Sequence, residues 1–192
     1  MGLLQEIGWQ PQIGDPTVMG WLTVIMYFVA AVLALKTSYS STYLFAYETV
    51  QQQKVFWLIV ALTLLFLGIN KQLDLQSFFT AIGKYYAHRD GWYENRRIIQ
   101  ISFITAILGL GSIALFVFVY KMKSIIKTNR LAIVGLIFLL LFVIIRAASF
   151  HHMDILINTK IWGFRMNWVL ELSGIVAITI AALSSLRLYK KH

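Results

Sequence analysis

Ionisable side chains stand inside otherwise apolar stretches of this chain, and their types and spacing suggest chemistry. Arg146, Ser149, His151, His152 and Asp154 follow one another in the last part of the apolar run 131–157. Lys71 and Asp74 close a second run, with Asn70 beside them, and Glu171 lies about one turn inside a third. Arg96 and Arg97 open a fourth. At 100° per residue, Arg146, His151 and Asp154 fall within an arc of about 140°, whereas His152 points about 100° away from His151. His151 and Asp154 can therefore share a site as a histidine oriented by a carboxylate, the arrangement general acid–base work requires. Arg96, Arg97 and Arg146 are candidates to hold an anion, with Lys71 and Asp74 beside them. Glu171 is expected to take up a proton or find a cation, because a lone carboxylate in an apolar run is costly; Arg146 is the obvious partner. An ionisable group at membrane depth is a functional hypothesis by default. The rival reading is structural: acids and bases are mixed, so they can neutralise one another and set helix packing.

Metal and cofactor chemistry is only loosely constrained. A zinc site needs three or four ligands in tetrahedral array, and His151, His152 and Asp154 are the candidates, with Glu171 and Asp74 as reserves. No ligand-spacing motif joins them. His151 or His152 could serve as an axial haem ligand, but no second span supplies another histidine, which argues against a bis-histidine cytochrome. The absence of cysteine excludes an iron–sulfur cluster and any cysteine-ligated metal. Which cofactor is used, if any, is left open by the residues.

These groups must be positioned by elements suited to lipid. Of the 192 residues 59% are hydrophobic and only 13% charged, with a mean hydropathy of +0.72, whereas about 25% charged residues is usual for a soluble domain. A bilayer core ~30 Å thick needs ~20 apolar residues in helical conformation. The expected fold is an all-α polytopic bundle in one transmembrane domain, 1–192. Its helices are expected at 16–36, 55–74, 99–121, 131–157 and 167–188; four spans is the alternative count. Asp15 before Pro16 reads as the N-cap of the first span. Residues 1–14 carry no Lys or Arg, unlike the n-region of a signal peptide, so the first span is expected to remain as an anchor. Residues 77–87 place Phe78, Ile82 and Tyr85 at helical spacing, as in a helix lying in the headgroup layer, and His88-Arg89-Asp90-Gly91 reads as a turn.

Lys36 and Lys54, then Lys121, Lys123, Lys127 and Arg130, then Arg187, Lys190 and Lys191 fall on one side of a five-span bundle. The positive-inside rule places that side in the cytoplasm and the N-terminus outside. Much of the formal charge of +9 is then a topology signal with a possible attraction to anionic lipid. Nucleic acid is a poor partner, because the cations are spread over the ends of separate spans.

The strings GDPTVMGW, GINKQLDLQ, GWYENRR, RAASFHHMD and NWVLELSG resemble an uncharacterised family of multi-pass bacterial inner-membrane proteins, over nearly the whole chain. Members sometimes carry the label isopropylmalate isomerase. That activity belongs to a soluble hydratase holding an iron–sulfur cluster on cysteines, and the label is rejected for this cysteine-free chain. The resemblance implies a bacterial inner membrane and brings no activity to individual residues.

Three function classes follow as expectations. The first is a membrane-embedded site near the outer face for a polar or anionic headgroup-bearing substrate, which leaves open whether the protein is an enzyme. The second is an accessory or scaffolding subunit of a larger membrane complex, with the bilayer and other membrane subunits as partners. The third is a transporter or channel, weakened by the absence of repeats and of a broken-helix pair. Gly109 and Gly111 fit close helix packing as well as a hinge.

Overall fold

The computed structural model describes residues 13–73, 75–91, 117–118, 120–148, 160–161 and 164–189. Nearly all of these are helical. In chain order the elements are α1 (Val18–Tyr39), α2 (Ser41–Leu44), α3 (Val50–Leu73), α4 (Leu75–Arg89), α5 (Arg130–Ala148) and α6 (Met166–Tyr189). A two-residue antiparallel ladder, Lys160–Ile161 against Phe164–Arg165, precedes α6. Three helices are long and apolar enough to cross a membrane: Val18–Tyr39, Tyr47–Leu73 and Trp168–Arg187. Arg130–Ile144 is a shorter apolar helix. Most of the expected span 99–121 lies outside the described residues; Val117, Phe118, Tyr120 and Lys121 near its end are helical. Residues 149–157 of the expected fourth span also lie outside them.

The chain divides into two compact units, Met1–Trp21 with Ile69–Lys121 and Leu22–Gly68 with Met122–His192. In the second unit the buried residues recur at helical spacing. Tyr27, Ala30, Ala31 and Ala34 on α1, and Trp57, Val60, Ala61 and Leu64 on α3, are fully enclosed. Each set follows i, i+3, i+4, i+7, one face of a helix. The opposite faces are no more polar: Ile25, Val29 and Val32 on α1 and Leu62 and Phe66 on α3 are exposed. Alanines at 30, 31, 34 and 61 among the enclosed residues, with aliphatic side chains facing outward, suit helices that approach closely in lipid.

Two close approaches set the packing of this unit. A Cβ built on Gly135 would lie 2.7 Å from the Gly174 carbonyl oxygen and 2.7 Å from Ile178 Cγ1, and one on Gly174 would lie 2.8 Å from Leu139 Cγ. The earlier residue of α5 thus meets the later residue of α6, so the two helices are antiparallel. At Gly68 an added Cβ would meet Tyr27 Cβ at 3.0 Å, which brings α3 against α1. At their other ends the Ser38 hydroxyl donates to the Lys54 carbonyl at 2.7 Å.

In the first unit, the start of α1 departs from expectation. Its N-cap is Thr17. The Thr17 hydroxyl oxygen accepts from the Gly20 amide at 3.0 Å, and the Thr17 carbonyl accepts the first helical bond from Trp21. Asp15 instead accepts from the Thr17 amide at 3.3 Å and the Thr17 hydroxyl at 2.7 Å. Pro16 therefore stands before the cap. Threonine satisfies an orphan helix amide as aspartate would, which frees the Asp15 carboxylate for a further partner. Helix α4 starts two residues before and ends two residues after the expected 77–87; the turn is confined to Asp90 and Gly91, where Gly91 has φ 73°.

Candidate functional site

Glu171 sits in the second turn of α6, where the apolar sequence should exclude a carboxylate, and it is 1% exposed. Tyr27, midway along α1 and equally enclosed, donates its hydroxyl to Glu171 Oε1 at 3.2 Å. Two spanning-length helices thus meet through a phenol and a carboxyl. A carboxyl so placed can neutralise a cation or orient a bound group.

A second buried polar seam joins the starts of α3 and α5. Asn129 Nδ2 donates to Gln53 Oε1 at 2.9 Å and to the Ile125 carbonyl at 3.0 Å. Both side chains are almost fully enclosed. Ser124 donates to Gln52 Oε1 beside them. Among the described residues, Asn129 Oδ1 and, one turn further along α3 from Gln53, Trp57 Nε1 are buried without a hydrogen-bond partner. The sequence reading missed this seam. Its signal was the run Gln51-Gln52-Gln53 at the head of one span and Asn129 at the head of another, which reads equally well as loop polarity.

In the first unit Lys71 is buried in the last turn of α3 and pairs with Asp15 at 3.5 Å, side-chain exposures being 6% and 23%. Gln72 reinforces the contact: its Nε2 donates to the Asp15 carbonyl at 3.2 Å, its Oε1 accepts from the Asp15 amide, and its own carbonyl accepts from Gly14 at 2.8 Å. Burial pushes the Asp15 carboxyl up, but the two Thr17 hydrogen bonds and the Lys71 ammonium outweigh it and hold Asp15 below its ordinary value. Lys71 was expected to share a face with Asp74; its described partner is Asp15, distant in sequence. At the end of α4, Arg89 pairs with Asp90 at 2.8 Å and lies over the Tyr86 ring at 4.5 Å, exposed on the surface.

Of the expected site residues, Lys71 and Glu171 are therefore buried and hydrogen-bonded or ion-paired. Arg146 lies near the end of α5, where only its backbone is described. Asp74, Arg96, Arg97, His151, His152 and Asp154 lie outside the described residues. Among the described residues, no three or more His, Cys, Asp or Glu side chains gather to hold a metal ion. No family model, curated protein or solved structure matches the chain.

Proposed function

We propose that the chain is a multi-pass protein of the bacterial inner membrane, with five crossings and its N-terminus outside. In this reading it binds or processes a polar or anionic headgroup-bearing substrate in the outer half of its helices. The carrying observation is the enclosed Glu171 carboxyl, held by Tyr27 on a helix long and apolar enough to span a bilayer. Such a group is expensive and is kept where it has work to do. Arg96, Arg97 and Arg146 hold the anion, His151 with Asp154 moves a proton or binds a metal, and Glu171 orients or neutralises. Native mass spectrometry of the detergent-purified protein tests this. Arg146→Ala and His151→Ala are expected to lose a co-purifying anionic ligand while membrane abundance stays unchanged. Equal loss of abundance in both variants would favour the structural account.

A second reading, an accessory or scaffolding subunit, draws support from the Lys71–Asp15 pair and the Gln53–Asn129 bond, where polar groups tie elements of the chain together. Purification from the native host in mild detergent separates the readings. A monomer without a stoichiometric partner counts against the second.

A further inference from the structure

We propose that the end of the second unit where α1 finishes and α3 and α5 begin is a binding surface for anionic phospholipid headgroups. The contacts bring its cations to one end. Ser38 bonds to Lys54, so the end of α1 lies at the start of α3, and Gln53 bonds to Asn129, so the start of α5 lies there too. The antiparallel crossing at Gly135 and Gly174 returns the C-terminal end of α6 to the same place. Lys36, Lys54, Lys123, Lys127, Arg130 and Arg187 are thereby gathered, and among the described residues none of them is in an ion pair. Glu48 is the one described carboxylate at this end.

A second observation points to lipid rather than to a soluble acidic partner. Tyr39, Tyr43 and Tyr47 are 76%, 74% and 95% exposed along the segment joining α1 to α3. Tyrosine rings set beside cations at the end of apolar helices match the headgroup layer, where the ring has an apolar body and a wet tip. Each Lys or Arg near an anionic surface favours it by electrostatic attraction that salt screens. A phosphodiester headgroup is the ligand chemistry that fits, presented by the surrounding bilayer.

The inference rests on the reading that these helices cross a membrane, which resistance of the protein to alkaline extraction checks independently. The test reconstitutes the full chain in phosphatidylcholine vesicles. It compares the motionally restricted fractions of spin-labelled phosphatidylglycerol and spin-labelled phosphatidylcholine. Phosphatidylglycerol is expected to be favoured about threefold or more at low salt, with the preference fading as salt rises. The Lys123→Gln, Lys127→Gln, Arg130→Gln triple variant should lose most of it, while Arg89→Gln, in the other unit, keeps it. Equal restriction of the two lipids by wild-type protein, or a preference indifferent to salt, overturns the proposal even if the triple variant does not fold. Replacing chloride by inorganic phosphate at equal ionic strength should change nothing. Selective displacement by phosphate would assign the site to a soluble anion instead and overturn it.

Discussion

A single oxygen atom tests the Glu171 environment. Tyr27→Phe keeps the ring that fills the core and removes the donor from a buried carboxyl. The expected loss is about 1–3 kcal/mol of stability, the cost of leaving a buried polar group short of a partner. Thermal unfolding in detergent would measure it, and the effects of Tyr27→Phe and Glu171→Gln should be less than additive, because both act on one bond. Asp15 gives a different signature. Its carboxyl is held below the ordinary value of 3.8, so its contribution is complete above that pH and is lost as pH falls through the lower folded-state value. The stability gap between wild type and Asp15→Asn should stay level from about pH 7 to about pH 5 and close only in stronger acid; a gap already closing in the neutral range would contradict the assignment. Glu171 was legible in the sequence because charge in an apolar run stands out. Tyr27 was not, since a tyrosine among Met, Phe and Val reads as core. Nor was the Lys71–Asp15 pair, which depends on how distant segments meet.

Helices were legible to within a few residues where apolar length decided them, as in α1, α3 and α6. What the pattern could not supply was how they touch. Gly109 and Gly111, which fit close packing as well as a hinge, lie outside the described residues; the described crossing uses Gly135 and Gly174, isolated glycines on different helices whose partnership is visible only once α5 and α6 are laid antiparallel. The N-cap moved from Asp15 to Thr17 for a related reason: either side chain satisfies the helix amides, and a tertiary partner for Asp15 decided between them. The crossing makes a graded prediction. Gly135→Ala places a methyl group against a backbone oxygen that cannot step aside, and should cost about 1–3 kcal/mol, as overpacking does. Gly83→Ala, on α4 with nothing within 4 Å of its added Cβ, should be neutral or stabilise by up to about 1 kcal/mol through helix propensity. Unfolding midpoints of the two variants in one detergent would check the contrast, and similar losses at both positions would remove the case for close helix contact.

For the whole molecule, the distribution of charge makes a claim about sidedness. Lys36, Lys54, Lys123, Lys127, Arg130 and Arg187 lie toward one end of the helices of the second unit, where the described acid is Glu48. Cations near span ends favour the cytoplasmic side, because each resists translocation. If α1 crosses the membrane, Ile13 before it and Tyr47 after it must face opposite compartments, and in the proposed orientation Tyr47 faces the cytoplasm. A chain with no cysteine suits single-cysteine labelling, and Ile13, Tyr47 and Lys127 are all exposed. In intact cells a membrane-impermeant maleimide should label Ile13→Cys, and should reach Tyr47→Cys and Lys127→Cys only after the membrane is opened. The mirror-image pattern would leave α1 spanning but reverse the orientation, moving Glu171 and the sites proposed around it to the inner half of the membrane. Labelling of Ile13→Cys and Tyr47→Cys from the same side would be more serious. It would mean that α1 does not cross, and an enclosed carboxyl bonded to Tyr27 would then belong to a helix packed against the membrane or another protein.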